Sequence, residues 1–288
     1  MTRGKPSAES PAHIARRVLL AQLDKTIGAL SERRRSDVAI HNIRKELKRA
    51  RAALRMLREC IGVLEYHRDN ALIRDAARPL TPIRDAKVLL QTLEQVEPKK
   101  GAAGSGFFLR LRKVLEEQRR LARRQLRSAD LAAAARVLRG IRRRAAGLPE
   151  SRLAPPHPRG LEHAFKKARS AFAAAKRQGT DESLHEWRKQ TKYFANQLEM
   201  LLRSGPKLFD KSHRQATQLA DCLGDDHDLA ILTDQISQYA GGAPGAPAPG
   251  PDARRLIRSA QRRRKKLQRR AMRLGHRLYS GHAARYRS

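Results

Sequence analysis

His41-Asn42-Ile43-Arg44-Lys45-Glu46-Leu47-Lys48-Arg49 decides how this chain is read, because its pattern returns as His185-Glu186-Trp187-Arg188-Lys189-Gln190-Thr191-Lys192-Tyr193. His, Arg, Lys and Lys recur at i, i+3, i+4 and i+7, displaced by 144 positions in a chain of 288 residues. At about 100° per residue the four side chains share one helix face, within an arc of roughly 100°. Each row is headed by a histidine and followed by three residues read as permanent cations. On the opposite side of the first helix stand Ile43, Leu47, Ala50, Leu54, Leu57 and Ile61. The second helix has Trp187, Thr191, Phe194, Leu198 and Leu201 there. The spacing therefore predicts two amphipathic helices, each with one side in a core and a basic side facing out.

A second pair of matching stretches lies downstream of each row. Thr81-Pro82-Ile83-Arg84-Asp85-Ala86-Lys87-Val88-Leu89 corresponds to Gly224-Asp225-Asp226-His227-Asp228-Leu229-Ala230-Ile231-Leu232 at a shift of 143. Asp85 and Asp228 are read near helix starts, where a carboxylate favours the helix N-terminus or orients a basic side chain. No segment alternates with period two, so the fold class is all-α. A repeat this long suits two pseudo-twofold-related helical bundles from an internal duplication of about 144 residues, not a solenoid. The expected organisation is a disordered lead over 1–10, a first helical half over 11–147 and a Pro-containing linker over 148–159. A second half over 160–288 contains a flexible Gly/Ala/Pro loop at 241–251.

Charge sets the class of partner. Lys and Arg number 63 against 28 Asp and Glu, a formal net charge of +35. Self-repulsion on that scale opposes a compact fold unless a polyanion or counterions neutralise it. Hydrophobic residues make up 40% of the chain, enough for a core, whereas aromatics make up only 4%. Trp187 and Phe194 fall on the apolar side of their helix, so no platform for stacking bases is visible. Neither zinc-finger spacing nor a helix-turn-helix signature is present. The two cysteines, Cys60 and Cys222, read as small buried residues in a reducing compartment. No run approaches the roughly 18 apolar residues of a membrane span, so a cytoplasmic protein without a membrane partner is expected. There is no P-loop, nucleophile elbow, Glu-x-Glu-x-Lys row or His-Glu-x-x-His, and neither an enzymatic activity nor a cofactor is expected.

The candidate site is a set of phosphate ligands, since Arg grips phosphate oxygens as a fork and Lys meets them as a point charge. Its core is His41, Arg44, Lys45, Lys48, Arg49, Arg51 and Arg55, with His185, Arg188, Lys189 and Lys192. A second tier comprises Arg112, Arg119 and Arg123, and then Arg258, Arg262, Lys265 and Arg269. No metal site is expected, because cations occupy i+3 and i+4 from each row histidine where further ligands would be needed. The two histidines are read either as phosphate ligands or as structural residues; His227 is read as standing alone. An imidazole near pKa 6.5 beside a polyanion predicts binding that tightens as pH falls from about 7.5 to 6.

Together these elements resemble the CHAD domain, the conserved histidine α-helical domain, across about residues 11 to 280. The resemblance rests on His41-x-x-Arg44-x-x-x-Lys48-Arg49-x-Arg51, on His185-x-x-Arg188-x-x-x-Lys192, and on the stretches around Arg84-Asp85 and His227-Asp228. It implies paired helical bundles about a pseudo-twofold axis, with a basic groove or pore that binds inorganic polyphosphate, and association with polyphosphate granules. The sequence departs from the pattern at Tyr193-Phe194-Ala195, where Ala195 stands in register with Arg51. The second row is therefore expected to contribute less. The alternative is a general nucleic-acid binder acting through phosphate-backbone contacts. The sequence sets no oligomeric state.

Overall fold

The computed structural model describes residues 9–32, 36–96, 106–153, 159–202, 209–241, 250–280 and 286. Most of the expected lead (1–8), loop (242–249) and linker core (154–158) lie outside these residues. The described residues form α1 (Pro11–Ser31), α2 (Asp37–Met56), α3 (Arg58–Ile61), α4 (Val63–Ala76), α5 (Thr81–Val96) and α6 (Gly106–Gln125). Then come α7 (Ser128–Ala146), α8 (Glu150–Leu153), α9 (Arg159–Gln178), α10 (Asp181–Leu202), α11 (Asp210–Gly241) and α12 (Pro251–Tyr279). No strand occurs among them, and the protein is all-α.

Local chemistry sets the helix ends. The Ser10 hydroxyl accepts from the His13 N–H at 3.3 Å with Pro11 at the first helical position, and Ser36 accepts from Ala39 N–H at 3.1 Å. Side-chain oxygens at these caps satisfy donors that the first helical turn leaves free. Thr180 does the same for Ser183 N–H at 3.2 Å, just after Gly179 turns the chain with φ of 65°. Gly62, with φ of 96°, separates α3 from α4 in a conformation that side chains rarely adopt.

The clearest contrast along the chain is between α4–α5 and α11. After α4, Arg78–Leu80 form a 3-10 turn containing Pro79, and Pro82 stands in the first turn of α5. Proline lacks the amide donor and clashes with the preceding turn, costing about 3 kcal/mol inside a helix. Cys222 and Asp225 occupy the positions in register with these prolines, and α11 runs unbroken for 32 residues through Gly224. The sequence placed Asp85 and Asp228 near helix starts; Asp228 lies well inside α11 and Asp85 past the first turn of α5, so each acts on a row arginine and not on a helix N-terminus.

Two hydrophobic clusters hold the helices. The larger joins α1, α2, α4, α7, α9 and α10 to the first part of α11 and the end of α12. Its aromatic portion packs Phe165, Phe172, Trp187, Phe194, Tyr279 and Tyr286, with neighbouring ring centroids 4.6 to 5.8 Å apart. The smaller joins α5, α6, the second part of α11 and the first part of α12, through Leu93, Leu111, Leu115, Leu232, Ile236 and Leu256. Burying each such side chain stabilises the fold by about 1.5–3 kcal/mol. Both clusters draw helices from both halves of the chain, so the core does not divide at residues 148–159. On α5, Ile83 belongs to the larger cluster and Leu89 to the smaller; on α11, Leu223 and Leu229 divide likewise. The segments between them, Arg84–Val88 and Gly224–Asp228, sit at the seam.

Candidate functional site

At that seam α2 packs against α10, with α5 beside α2 and α11 beside α10. The apolar sides of both row helices are buried as expected, apart from half-buried Ile61. Their basic sides converge. Lys48 keeps access to solvent, yet protein atoms crowd around it and Lys192, Arg44, Arg188 and Arg84 all press on its charge. Burial first, and then these four cations, push its pKa from 10.5 down to about 7. Lys48 is thus no permanent cation. Lys192 is also lowered, by burial and Arg188, although Asp221 and Asp228 work against the shift.

Arg84 is the residue that sequence reasoning missed. Its charge acts on His41, Arg44 and Lys48 of the first row and on Arg188 and Lys192 of the second. The matched stretches drew attention to Asp85, while the useful signal was the arginine beside it. Arg44 and Arg188 are both depressed by burial, each with one carboxylate opposing: Asp85 for Arg44 and Asp228 for Arg188.

The two arginines differ in how they are held. Arg44 Nη1 donates to Thr81 Oγ1 at 2.6 Å, and that hydroxyl donates to the Ala77 carbonyl at 3.1 Å. Gly224 stands in register with Thr81, and Arg188 Nε is buried without a partner. A Cβ added at Gly224 would lie 3.7 Å from Arg188 Nε and 3.9 Å from Lys192 Nζ. The histidines differ too. His41 lines an open cleft with Val38, Arg84, Lys87, Val88 and Gln91. His185 lies against His227, ring centroids 4.5 Å apart, so His227 does not stand alone. Burial, Arg188 and His185 push His227 down to about 4. His41 and His185 are likewise lowered by burial and by the cations beside them, Arg84 first for His41 and Arg188 first for His185. Without a ligand they are neutral at pH 7, and their protonation begins lower than the sequence suggested.

The remaining candidates divide by partner. Lys45 is exposed, and Lys189 donates to Glu186 Oε2 at 2.8 Å. Arg49 is engaged by Glu199 and lies 3.8 Å from Glu46. Arg51 donates to Asn70 Oδ1 at 2.9 Å and to Tyr193 Oη at 3.3 Å, while the Arg55 guanidinium sits 3.6 Å from the Tyr193 ring centroid. Tyr193, which departs from the expected basic pattern, therefore organises two first-row arginines across the α2–α10 contact. Arg119 and Arg123 both clasp Asp37, and Arg112 donates to Glu116 at 3.1 Å. Arg119 and Arg123 thus tie α6 to the start of α2 while Arg112 pairs within α6, and none of the three is among the charges that act on Lys48. Arg258, Arg262, Lys265 and Arg269 are exposed along α12, without an ion pair among the described residues. In the same helix, Arg264 binds Asp181 and the buried Asp226, fixing α12 to α10 and α11. No group of three His, Cys, Asp or Glu side chains suited to a metal occurs among the described residues.

Fold and site define an all-helical domain built around a cationic seam. The chain belongs to the CHAD domain family: the family's profile matches residues 17–237. The crystal structure of the CHAD domain from the plant Ricinus communis is similar in fold, with a TM-score of 0.60 and 18% identity, covering 98% of this chain and 96% of that one. No curated protein matches the chain. Among the described residues, no helix is long and apolar enough to cross a membrane.

Proposed function

We propose that this protein binds inorganic polyphosphate without catalysis, along the seam between its two rows. The observation that carries the reading is the gathering of Lys48, Lys192, Arg44, Arg188 and Arg84 from three helices at one solvent-open place. Cations packed so closely repel one another, and the Lys48 pKa is depressed first by burial and then by that repulsion. A chain of phosphates relieves it at every unit, presenting oxygens to the arginine forks and charge to the lysines. Binding proceeds by neutralisation with counterion release, so affinity falls steeply with salt. Binding in the cytoplasm, on polyphosphate granules, follows from this reading.

The exposed α12 arginines favour a second reading, a general nucleic-acid binder gripping the phosphate backbone. Salt dependence does not separate the two, because both ligands release counterions. Competition does. Long polyphosphate is expected to displace bound duplex DNA at equal phosphate concentration; failure to displace it would overturn the polyphosphate reading. Phosphate release by the purified protein with a divalent metal would overturn its non-catalytic part.

A further inference from the structure

Where α2 meets α5, Val38, His41, Arg84, Lys87, Val88 and Gln91 line a cleft of about 300 Å³. Its composition is unlike that of the seam it adjoins. Val38 is 63% exposed, one turn before His41 on the helix whose basic side forms the first row. Val88 supplies a second apolar wall, and Gln91 an exposed amide. Arg84 belongs both to this cleft and to the five-cation cluster, so the two are continuous. Beyond Arg84 the seam gives way to two valines, an imidazole and an amide beside Lys87.

Inorganic phosphate makes little use of such a wall, because apolar side chains neither bond its oxygens nor replace its hydration. A nucleobase does. Its faces fit valine methyl groups and a histidine ring, and a glutamine amide offers the donor and acceptor that match the two-point edge of adenine. The cleft lies at the lower end of the volumes that small-molecule sites occupy, roughly 300–1,000 Å³. Beside the other row the corresponding positions differ in chemistry. Glu182, Ala230, Ile231 and Asp234 stand in register with Val38, Lys87, Val88 and Gln91. That exchange removes a cation and adds two carboxylates, which repel a nucleotide's phosphates.

We propose that this cleft holds the base of an adenine nucleoside polyphosphate, whose phosphates run past Lys87 and Arg84 onto Arg44 and Lys48. The inference rests on the polyphosphate reading of the seam and adds a ligand class to it. Calorimetric titration without divalent metal compares ATP, inorganic tripolyphosphate and long-chain polyphosphate. ATP is expected to bind at least about tenfold tighter than tripolyphosphate, a gap of about 1.4 kcal/mol. Val38→Ala with Gln91→Ala, both at exposed positions, should close that gap and leave tripolyphosphate within about twofold of the parent. ATP binding no tighter than tripolyphosphate, or both ligands weakening equally in the variant, overturns the inference. If long polyphosphate still binds in that case, the seam reading stands without the cleft. If none of the three binds, both fall.

Discussion

The first row, His41 to Lys48, and the second, His185 to Lys192, present the same residue types at the same spacing to very different neighbours. Beside the first lies α5, which contributes Arg84, Lys87 and the Thr81 hydroxyl that holds Arg44. Beside the second lies α11, which contributes Asp221 and Asp228 near Lys192 and Arg188, and His227 against His185. Asp225 joins them with its pKa raised by burial and by the neighbouring Asp228 and Asp221, despite Arg263 and Lys192 pulling the other way. Each row arginine has one carboxylate opposing its shift, but the first row is anchored and its Lys48 meets only cations, whereas the second is unanchored and its Lys192 meets Asp221 and Asp228. Ala195 opposite Arg51 made the second row look weaker, but the carboxylates of α11 supply a stronger reason.

The largest effect should come from reversing charge in both rows together. Arg44→Glu with Arg188→Glu removes two charge-assisted grips of about 1.5–3 kcal/mol each, so polyphosphate affinity should fall at least about 100-fold. Circular dichroism should show helicity unchanged. Unfolding of the double variant would mean that these arginines are structural. Singly, Arg188→Glu should act more weakly than Arg44→Glu, because Thr81 holds Arg44 in place whereas Arg188 Nε has no partner; the reverse order would break the contrast between the rows.

The buried sides of the rows also differ, and there the probe is Gly275. A Cβ at this position would come within 2.7 Å of Trp187 Cζ2 and 2.8 Å of Phe172 Cε2. Rigid rings in an aromatic core have little room to yield, so overpacking should outweigh the gain of about 1 kcal/mol from replacing a helical glycine. Gly275→Ala should therefore destabilise the protein by about 1–3 kcal/mol in denaturant unfolding. An unchanged midpoint would show that α12 can retreat from α10. Helix α2 sets aliphatic Ile43 where α10 has Trp187, and the glycine packed against α2, Gly160, would bring a Cβ only to 3.3 Å from Met56 Cα.

Much of this contrast was legible in the chain and part was not. Periodicity placed α2 and α10 and their buried faces, because apolar residues three and four apart can share a core only in a helix. It could not show that α11 continues through Gly224, since one glycine is permissive enough to end a helix or to pass unnoticed inside it. The rows were visible because their members lie on one helix. Arg84 was not, because its role depends on where α5 docks beside α2. Arg49, Arg119 and Arg123 counted as free cations for the converse reason: Glu199 and Asp37, which engage them, are 150, 82 and 86 residues away.

Protonation gives the next comparison. Lys48 has a folded pKa of about 7 against an ordinary 10.5, so between these values the unfolded chain binds the extra proton. Stability of the unliganded protein should therefore rise as pH increases from about 7 toward 10.5. Lys48→Gln should raise the melting temperature at pH 7 and flatten that rise. Lys192→Gln should do less of both, because Asp221 and Asp228 already compensate Lys192. Ligand binding has the opposite sign. A bound polyanion favours charged Lys48, so affinity should weaken as pH climbs above about 7, with the histidines adding only below their ordinary range. Affinity constant from pH 7 to 9 would remove Lys48 from the ligand set.

The smallest expected effect isolates the Thr81 anchor. Thr81→Ala deletes the hydroxyl that holds Arg44 at 2.6 Å while leaving every charge in place. Ordering a free arginine on binding costs about 0.5–1.5 kcal/mol, so polyphosphate affinity should fall roughly 3- to 10-fold. Gly224→Ser makes the reciprocal change, bringing a hydroxyl toward the unpartnered Arg188 Nε where an added Cβ meets only ordinary contact distances. If preorganisation separates the rows, the serine should recover part of the affinity in a Thr81→Ala background. If Thr81→Ala binds like the parent, anchoring is irrelevant, and the rows differ through the charges of α5 and α11 alone.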